Sequence, residues 1–489
     1  MCRADNQPTA GMNIPAVTRA DGEQADKPGA PSVAAAVGPA GGPVTRLETP
    51  APAPAATPQV ACPAPPPRSG LRLLRVPCLL IAAAVAVALL CRCDETKIEV
   101  EPASTAIPAP SVPAPATNIS TVRVLLTSPG ASQAEISTTG AYRLTVDGKL
   151  LAQSAAAMPA ATVSCRGGVW QIGSRRLAGR EALLAPSGNS MVRLGGKCYR
   201  GSLRLLPDIN DTFLAINNVE LEGYLAGVLP KELYATWAPA TYEALAVAAR
   251  TFAIYNCVTT GRTSQYDLGD NQASQCYGGQ SAETARSWSA VNDTRGVVLA
   301  YGPKGRERIF LAQYSASCGG QVNGAYVIRN AQRIEPLEGG QTCTDCADCP
   351  RYRWPAVRIR KSDILRALAA RYDAARRIKR LDRIDVVTAT PQGRAVWVDV
   401  VGDGPTVRLR AEDIRLALLS DGPAAAQRLN SMNCRMVDCG DAIEFADGRG
   451  FGHGVGLCQW GAQGKALKGW SAEQILAFYY PGATLYRVK

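Results

Sequence analysis

Hydrophobic and polar residues alternate along the first hundred residues after position 118. The segments "TVRVLL" (121–126), "YRLTVDGKLLA" (142–152) and "ATVSCRGGVWQIG" (161–173) share this two-residue period, and glycines separate them. Asp147-Gly148 is a strong signal for a two-residue hairpin turn. This pattern predicts antiparallel strands with a turn about every ten residues, and therefore a β-rich part over residues 119–198.

Helical periodicity begins further along. "PATYEALAVAARTFAIYNC" (239–257) carries Leu245, Ala248, Phe252 and Tyr255 on one helical face. "KSDILRALAARYDAARRI" (361–378) is amphipathic, and "SAEQILAFYYPG" (471–482) begins with the Ser-x-x-Gln of a capping box. Strand-like pieces such as "RAVWVDVVG" (394–402) lie between them. We therefore predict an α+β fold, with the β-rich part followed by a mixed α/β core over residues 199–489.

The N-terminal region has a different composition. Residues 1–70 are rich in Ala, Pro, Gly and Thr and are expected to be disordered. An apolar run of 16 residues (76–91) then indicates a transmembrane anchor or signal segment over residues 71–93. Because about 70 residues precede it, an uncleaved anchor in the inner membrane is favoured over a cleaved signal. Three arginines precede this run and two acidic residues follow it, which predicts an extracytoplasmic location for the rest of the chain. A Pro/Ala-rich linker follows over residues 94–118.

The net charge is +12. A basic exported domain suits an anionic polymer such as cell-wall glycan, and the exported location argues against nucleic acid. The basic residues are scattered, so a solvated basic surface is the alternative.

Eleven of the 16 cysteines follow residue 93, where disulfides are permitted. Cys165/Cys198 and Cys434/Cys439 are candidate pairs by position, although sequence cannot fix connectivity. Cys343-x2-Cys346-x2-Cys349 has the spacing of metal ligands. No histidine is near, and exported cysteines are often paired, so disulfides are favoured there, and neither a metal nor a cofactor is predicted.

The stretch "GRGFGHGVGLCQWGAQG" (448–464) holds seven glycines and the sole histidine of the chain, His453. The glycines have neither the spacing of a dinucleotide fingerprint nor the Gly-Lys-Ser/Thr of a P-loop. They predict tight turns and close approach of the backbone to a ligand or another strand.

Glu232 is the candidate catalytic acid. It lies in "VLPKELYATW" (228–237), where the neighbouring residues are apolar or aromatic. Burial among such residues favours the protonated carboxyl group, which can act as a general acid. The alternatives are an exposed loop glutamate at position 232 and a catalytic role for the nearby Glu222.

Three segments resemble the SpoIID/LytB family. "YLAGVLPKELYATWAPATYEALAVAARTFAIYN" (224–256) is similar to its Pro-x-Glu and Ala-Ala-Arg-Thr signature, and "YSASCGGQVNGA" (314–325) to its Ser-Gly-Gly segment. "GRGFGHGVGLCQWGAQGKALKGWSAEQILAFYYPGATL" (448–485) is similar to its C-terminal Gly-His-Gly signature. The three segments occur in the family order over residues 199–486.

The resemblance implies a lytic transglycosylase that cleaves MurNAc–GlcNAc strands of peptidoglycan, with peptide-free strands preferred. Glu232 matches the family's catalytic acid/base, and the product would carry a 1,6-anhydro-MurNAc end. Because other members are described as amidase enhancers, a non-catalytic wall-binding module with a cell-wall amidase as partner is the alternative. The resemblance leaves sporulation and general wall remodelling equally open.

The resemblance also predicts residues that bind the glycan along a groove with a glycine-lined wall. Arg250 would meet the muramyl carboxylate, with an internal salt bridge as the alternative. His453 would line the groove, with a buried histidine that is satisfied by a backbone carbonyl as the alternative. The full set of predicted binding residues is Arg250, Ser317, Gly319, Gly320, Gly452, His453, Gly454, Gln459 and Trp460.

One departure from the family pattern concerns zinc. Some members bind zinc through His and Cys in a segment after the first long helix. The equivalent segment here, "YDLGDNQASQCYGG" (266–279), keeps only Cys276, so that zinc site is expected to be absent.

Overall fold

The computed structural model of the protein describes residues 98–99, 112–113, 119–127, 130–260, 264–329 and 333–488. The predicted tail (1–70) and the predicted anchor (71–93) lie outside these residues, as does most of the linker apart from strands β1 (Ile98–Glu99) and β2 (Val112–Pro113). In the described part of the chain, no helix is both long enough and apolar enough to cross a membrane.

The β-rich part contains the predicted hairpins. Asp147 and Gly148 have φ values of 46° and 75°, and positive φ at both central positions is the backbone that this two-residue turn requires. The strands are β3 (Thr121–Leu125), β4 (Ala134–Thr138), β5 (Tyr142–Val146), β6 (Lys149–Ser154), β7 (Ala161–Arg166), β8 (Val169–Ile172), β9 (Arg175–Ala178), β10 (Ala182–Pro186), β11 (Val192–Leu194), β12 (Lys197–Tyr199), β13 (Ser202–Pro207) and β14 (Phe213–Glu220).

These strands form two sheets. With β15 (Leu268–Gly269) added, one sheet has the order β15-β3-β14-β13-β10-β5-β6 and the other β12-β11-β4-β7-β8-β9. Their alternate side chains share one hydrophobic core, in which Trp170 meets Phe213 edge-on at 5.8 Å between ring centroids. The two-residue alternation in the sequence therefore corresponds to the buried and exposed faces of these strands.

Helices follow directly after β14. They are α1 (Leu221–Glu232), α2 (Pro239–Thr260) and α3 (Ala285–Asp293). Helix α2 buries the predicted stripe, and also the alanines on its other faces, so it lies in the interior rather than on the surface. It packs near the sheet β2-β17-β16-β28, which contains β16 (Val297–Tyr301), β17 (Arg308–Ile309) and β28 (Ala483–Arg487).

A second hydrophobic cluster lies between the Ser-Gly-Gly and Gly-His-Gly segments in sequence. Its elements are β19 (Arg353–Trp354), β20 (Val357–Arg360), α4 (Lys361–Arg371), β21 (Leu381–Ala389), β22 (Ala395–Gly402), β23 (Val407–Arg410), α5 (Ala411–Asp421), β24 (Arg435–Asp438), β25 (Ala442–Ala446) and β26 (Gly448–Arg449). The sheets are β1-β23-β22-β21 and β20-β25-β24, and β19 pairs with β26.

The region between the Ser-Gly-Gly and Gly-His-Gly segments is called the inserted region below. The two glycine-rich segments that flank it contact each other. Strand β18 (Tyr314–Ser315) pairs in parallel with β27 (Leu457–Cys458), and α6 (Gln459–Leu467) and α7 (Ala472–Tyr479) complete the core. The predicted capping box at Ser471 and Gln474 is present at the start of α7. The mixture of helices and strands confirms the predicted α+β class.

Candidate active site around Glu232

Glu232 is the last residue of α1. The helix begins after Glu220, whose carboxylate accepts a hydrogen bond from Gly223 N at 2.9 Å, and it ends because Leu233 is extended (φ −121°, ψ 155°). The helix end turns the Glu232 side chain into the protein, where the residue is 7% exposed. Glu232 is therefore a buried helix residue and not the exposed loop glutamate of the alternative.

Two N–H groups from distant parts of the chain donate to the Glu232 carboxyl group. The backbone N of Cys276 donates to Oε1 at 2.9 Å, and Gln459 Nε2 donates to Oε2 at 3.0 Å. Gln459 is the first residue of α6 and directly follows the Gly-His-Gly segment. The fold thus brings Glu232 and Gln459, which are 227 positions apart, into one site.

A chain of hydrogen-bonded polar side chains lies near Glu232, and two of its three members are buried. Tyr224 Oη donates to Gln275 Oε1 at 3.0 Å, and Gln275 Nε2 donates to Tyr314 Oη at 2.9 Å. Burial raises the pKa of both tyrosines well above its usual value, and the nearby Glu232 carboxyl group adds to the rise in the pKa of Tyr314. Both phenols therefore stay neutral at physiological pH.

These three side chains were not among the predicted site residues. Tyr224 and Tyr314 fall within the quoted motifs, which is a signal that could have found them. Gln275 falls in the segment where the family zinc site was sought. Its role depends on a contact between the loop after β15 and helix α1, and no local pattern reports such a contact.

Three aromatic side chains form a cluster, and they come from the chain segments that carry Glu232 and Gln459. Tyr234 lies 5.3 Å from Trp237 and 5.8 Å from Trp460, and the two tryptophans lie 5.1 Å apart, between ring centroids. Tyr234 is 36% exposed, Trp460 is half-buried and Trp237 is buried. Exposed aromatic surface is able to pack against the apolar face of a sugar ring.

His453 is half-buried, and its Nδ1 accepts a hydrogen bond from Val455 N at 3.0 Å. Burial lowers the pKa of His453 to about 4; the Glu412 carboxylate opposes this effect, while Arg394 and Arg415 reinforce it. The imidazole is therefore neutral at pH 7. The alternative for His453 was a ring that donates to a backbone carbonyl. A backbone group does bond to the ring, but it is the N–H of Val455, which donates to the ring.

The glycines of the two segments lie against each other. A Cβ atom on Gly319 would lie 2.9 Å from Gly450 N, and one on Gly454 would lie 2.5 Å from Asn323 Nδ2. Gly452 (φ 91°) packs similarly against Ser315. The predicted close approach to another strand is confirmed for these positions.

Two other predicted binding residues differ in their exposure: Ser317 is buried and Gly320 is half-buried. Ser317 is fully buried, and its backbone pairs with Phe451 in a bridge between the segments. Gly320 has φ 105°, and a Cβ there would lie 2.9 Å from Tyr352 Oη. Ser317 therefore packs between the two segments, and Gly320 lies against Tyr352.

Arg250 is fully buried and forms an ion pair with Glu222. Its Nη2 lies 2.6 Å from Glu222 Oε2, and its Nε lies 3.0 Å from Oε1. Further bonds run to Val297 O and Val291 O. Arg250 thus forms the internal salt bridge that was the alternative for this residue. The same ion pair engages Glu222, the other candidate for the catalytic carboxyl group.

The predicted disulfide pairs are wrong, because all four of these cysteines carry free thiols. Cys165 is in β7 and Cys198 in β12, with β11 and β4 between them, which separates the backbones by about 14 Å at the usual strand spacing. Cys434 and Cys439 flank the extended strand β24, which holds them about 16 Å apart. Both separations exceed the reach of a disulfide.

The preference for disulfides at Cys343, Cys346 and Cys349 is also wrong, because all three carry free thiols. Cys343 and Cys346 instead meet two cysteines from the glycine-rich segments. The Sγ atoms of Cys318, Cys343, Cys346 and Cys458 all lie within 4.8 Å of one another. This group could hold a metal ion, contrary to the prediction of no metal, and Cys349 lies outside it.

Comparison with known proteins identifies the class that this fold and site define. Residues 210–301 match the family described as stage II sporulation protein (SpoIID), and residues 329–456 match a domain of unknown function (DUF8618). The second match covers most of the inserted region. The chain belongs to the SpoIID family.

Three relatives illustrate the similarity. The chain is 31% identical to an uncharacterized protein of Brachyspira hyodysenteriae, over 60% of this chain and 73% of that protein. It is 27% identical to stage II sporulation protein D of Bacillus subtilis, over 60% of this chain and 81% of that protein. It is also 27% identical to the amidase enhancer of Bacillus subtilis, over 53% of this chain and 40% of that protein.

Proposed function

We propose that this protein is a peptidoglycan lytic transglycosylase in the cell envelope, with Glu232 as its acid/base. The observation that carries the proposal is the buried Glu232 carboxyl group. Two N–H donors hold it, and one of them, Gln459, comes from the Gly-His-Gly signature. A catalytic carboxyl group must be fixed in orientation to within a fraction of an ångström, and two donors from separate segments provide such fixation.

The aromatic cluster supports a sugar ligand at this carboxyl group. Tyr234 follows Glu232 by two positions and Trp460 directly follows Gln459, so the same two segments supply both the polar and the aromatic groups. The mixture of one acid, one amide and exposed aromatic surface is the chemistry that carbohydrate rings require.

The proposed reaction needs a single carboxyl group. Glu232 gives its proton to the glycosidic oxygen as the bond from that oxygen to the muramyl C1 breaks. The muramyl 6-hydroxyl then forms a bond to C1 and returns its proton to Glu232. The product is a 1,6-anhydro sugar, no water is consumed, and Glu232 ends in its starting state. Ordinary glycoside hydrolysis, in contrast, uses two carboxyl groups.

A non-catalytic role as an enhancer of a cell-wall amidase is the second candidate. The similarity to the amidase enhancer of Bacillus subtilis favours it. The burial of Glu232 is also compatible with this role, because a carboxyl group that accepts two hydrogen bonds can have the purely structural function of joining α1 to α6. In that case the protein would bind glycan without cleaving it.

The test is to incubate the purified full-length protein with peptide-free glycan strands in H₂¹⁸O and to analyse the ends by mass spectrometry. A lytic transglycosylase yields 1,6-anhydro-MurNAc ends without ¹⁸O, whereas a hydrolase yields reducing ends that carry one ¹⁸O. Glu232→Gln should lower the rate by about 10²–10⁴-fold, the usual contribution of a general acid.

Glu473→Gln is the matched control. Glu473 is exposed in the first turn of α7, so this variant should cleave at the wild-type rate. If the wild type binds glycan but releases no anhydro ends, the enhancer role replaces the proposal. If Glu232→Gln cleaves at the wild-type rate, Glu232 is not the acid.

A further inference from the structure

Four cysteine side chains from three separate segments converge at one place, and one of them, Cys458, directly precedes Gln459. Cys318 lies in the turn after β18, Cys343 and Cys346 in a short 3-10 turn at residues 343–346, and Cys458 at the end of β27. All four are fully buried, and their Sγ atoms lie within 4.8 Å of one another.

The spacing of these sulfurs fits a tetrahedral metal ion. A tetrahedral site with Zn–S bonds of about 2.3 Å has sulfurs about 3.8 Å apart, and Cys318 Sγ lies 3.7 Å from Cys346 Sγ. Sulfurs joined in a disulfide are about 2.05 Å apart. The thiols are therefore close enough to share one ion, and each is free.

Hydrogen-bond donors surround the sulfurs, as they do around metal-bound thiolates. Cys458 Sγ accepts from Cys318 N at 3.3 Å and from Gly461 N at 3.4 Å. Cys343 Sγ lies 3.2 Å from Tyr479 Oη. Cys458 also caps the N-terminus of α6, where the helix dipole stabilises negative charge.

The residue that closes the site has no side chain. A Cβ atom on Gly461 would lie 2.5 Å from Cys343 Sγ and would collide with Tyr479 Oη. The first turn of α6 can therefore approach the sulfurs only because position 461 is glycine.

We propose that Cys318, Cys343, Cys346 and Cys458 bind one structural Zn²⁺ ion. Four buried thiolates with no other ligand form a closed tetrahedral site, the form that zinc takes where it stabilises a fold. The ion's two positive charges offset two of the four negative charges of the thiolates, and the N–H donors and the N-terminus of α6 stabilise the remainder. In a [4Fe–4S] cluster each thiolate binds a different iron atom, and in a [2Fe–2S] cluster two thiolates bind each of the two irons. Either cluster would spread the four sulfurs more widely than they are spaced here.

The ion would hold together three segments that the chain separates. Cys343 and Cys346 lie near the start of the region that matches DUF8618 (329–456), and Cys458 lies just after its end. The next residue is Gln459, whose side chain donates to Glu232. Zinc would therefore fix both connections of the inserted region and the donor to the carboxyl group.

The test is to measure metal content in the full-length protein, purified with a reducing agent and without chelator, by inductively coupled plasma mass spectrometry. One zinc per chain is expected. Cys346→Ser and Cys458→Ser should each lose most of this zinc. Cys349→Ser is the matched control, since Cys349 is a buried free thiol in the same Cys-x2-Cys-x2-Cys run but lies outside the group of four; it should keep one zinc.

A second measurement covers variants that fail to fold. Titration of the wild-type protein with a mercurial thiol reagent should release one zinc, detected with a chromogenic chelator. Cobalt substituted for zinc should show the absorption of a tetrahedral tetrathiolate. Absence of metal, iron in place of zinc, or disulfides among these cysteines would overturn the proposal. None of these measurements depends on glycan cleavage, so zinc binding and the proposed activity can fail separately.

Discussion

The ion pair between Arg250 and Glu222 gives the sharpest quantitative prediction. Arg250→Met removes the guanidinium group that donates to Glu222 and to the carbonyl oxygens of Val291 and Val297. Arg250 is 0% exposed and Glu222 5%, so the remaining carboxylate would be buried without its cation. Loss of one partner from such a pair costs about 3–5 kcal/mol, a large part of the roughly 5–15 kcal/mol that stabilises a typical domain.

A double-mutant cycle isolates the pair. Glu222→Gln in the Arg250→Met background removes the stranded charge, so the double variant should be more stable than the sum of the single changes by about 1–3 kcal/mol. The assay is urea unfolding followed by tryptophan fluorescence. Arg295→Met is the matched control, because Arg295 lies 3.9 Å from Glu220 in an exposed pair that should contribute at most about 1 kcal/mol.

The opposite outcome would support a role for Arg250 in substrate binding. If the free energy of unfolding of Arg250→Met is within about 1 kcal/mol of the wild-type value, the argument from burial of the ion pair is refuted. A loss of affinity for glycan strands in that stable variant would mean that the guanidinium reaches the ligand. Binding should therefore be measured on the same samples, below the temperature at which any variant begins to unfold.

Three further predictions concern single residues. A pKa of about 4 for His453 in the folded protein, against about 6.5 in the unfolded chain, means that the unfolded chain binds the extra proton between these values. The neutral ring therefore contributes fully to the free energy of unfolding above a pH of about 6.5, and this contribution falls by about 3 kcal/mol as the pH drops to about 4. Urea unfolding of the wild type at neutral pH and at pH 4 should show this loss. The His453→Gln variant should lose less stability over the same range, because it has no imidazole to protonate. Gln459→Leu removes a hydrogen bond to a carboxyl group, worth about 1.5–3 kcal/mol, so glycan cleavage should fall by about 10–100-fold, and a loss smaller than about twofold would show that this donor does not matter. Gly456→Ala forces a Cβ onto the Gln313 carbonyl oxygen at φ 67° and should cost more than the roughly 1 kcal/mol expected for Gly188→Ala, where φ is similarly positive but the space is open; equal melting temperatures for the two variants would contradict this reasoning.

The success of each sequence-based prediction follows the range of the interactions involved. The hairpin at Asp147-Gly148, the stripe on α2 and the capping box at Ser471 were predictable, because each depends on residues within a few positions. The amphipathic pattern extends over residues 361–378, but the helix ends at Arg371 because Tyr372 is extended. Local patterns thus predicted the elements better than their ends.

The candidate site required knowledge of distant contacts. Motif recognition selected Glu232 and Gln459 separately, but their hydrogen bond depends on how α1 meets α6. For Arg250, motif position suggested a ligand contact, whereas the fold placed Glu222 against it. A charged side chain in a motif has the same letter whether it faces a substrate or an internal partner.

The sequence by itself determined the family, the mixed fold class and the carboxyl group that the proposed chemistry needs, because short motifs and local periodicity carry that information. Only the tertiary structure decided which cysteines meet. Cys318, Cys346 and Cys458 are separated by 28 and 112 positions, and spacing along the chain says nothing about loops that close over such lengths. The packing of two glycine-rich segments against each other brings these thiols together, which the rule of Cys-x2-Cys spacing could not supply.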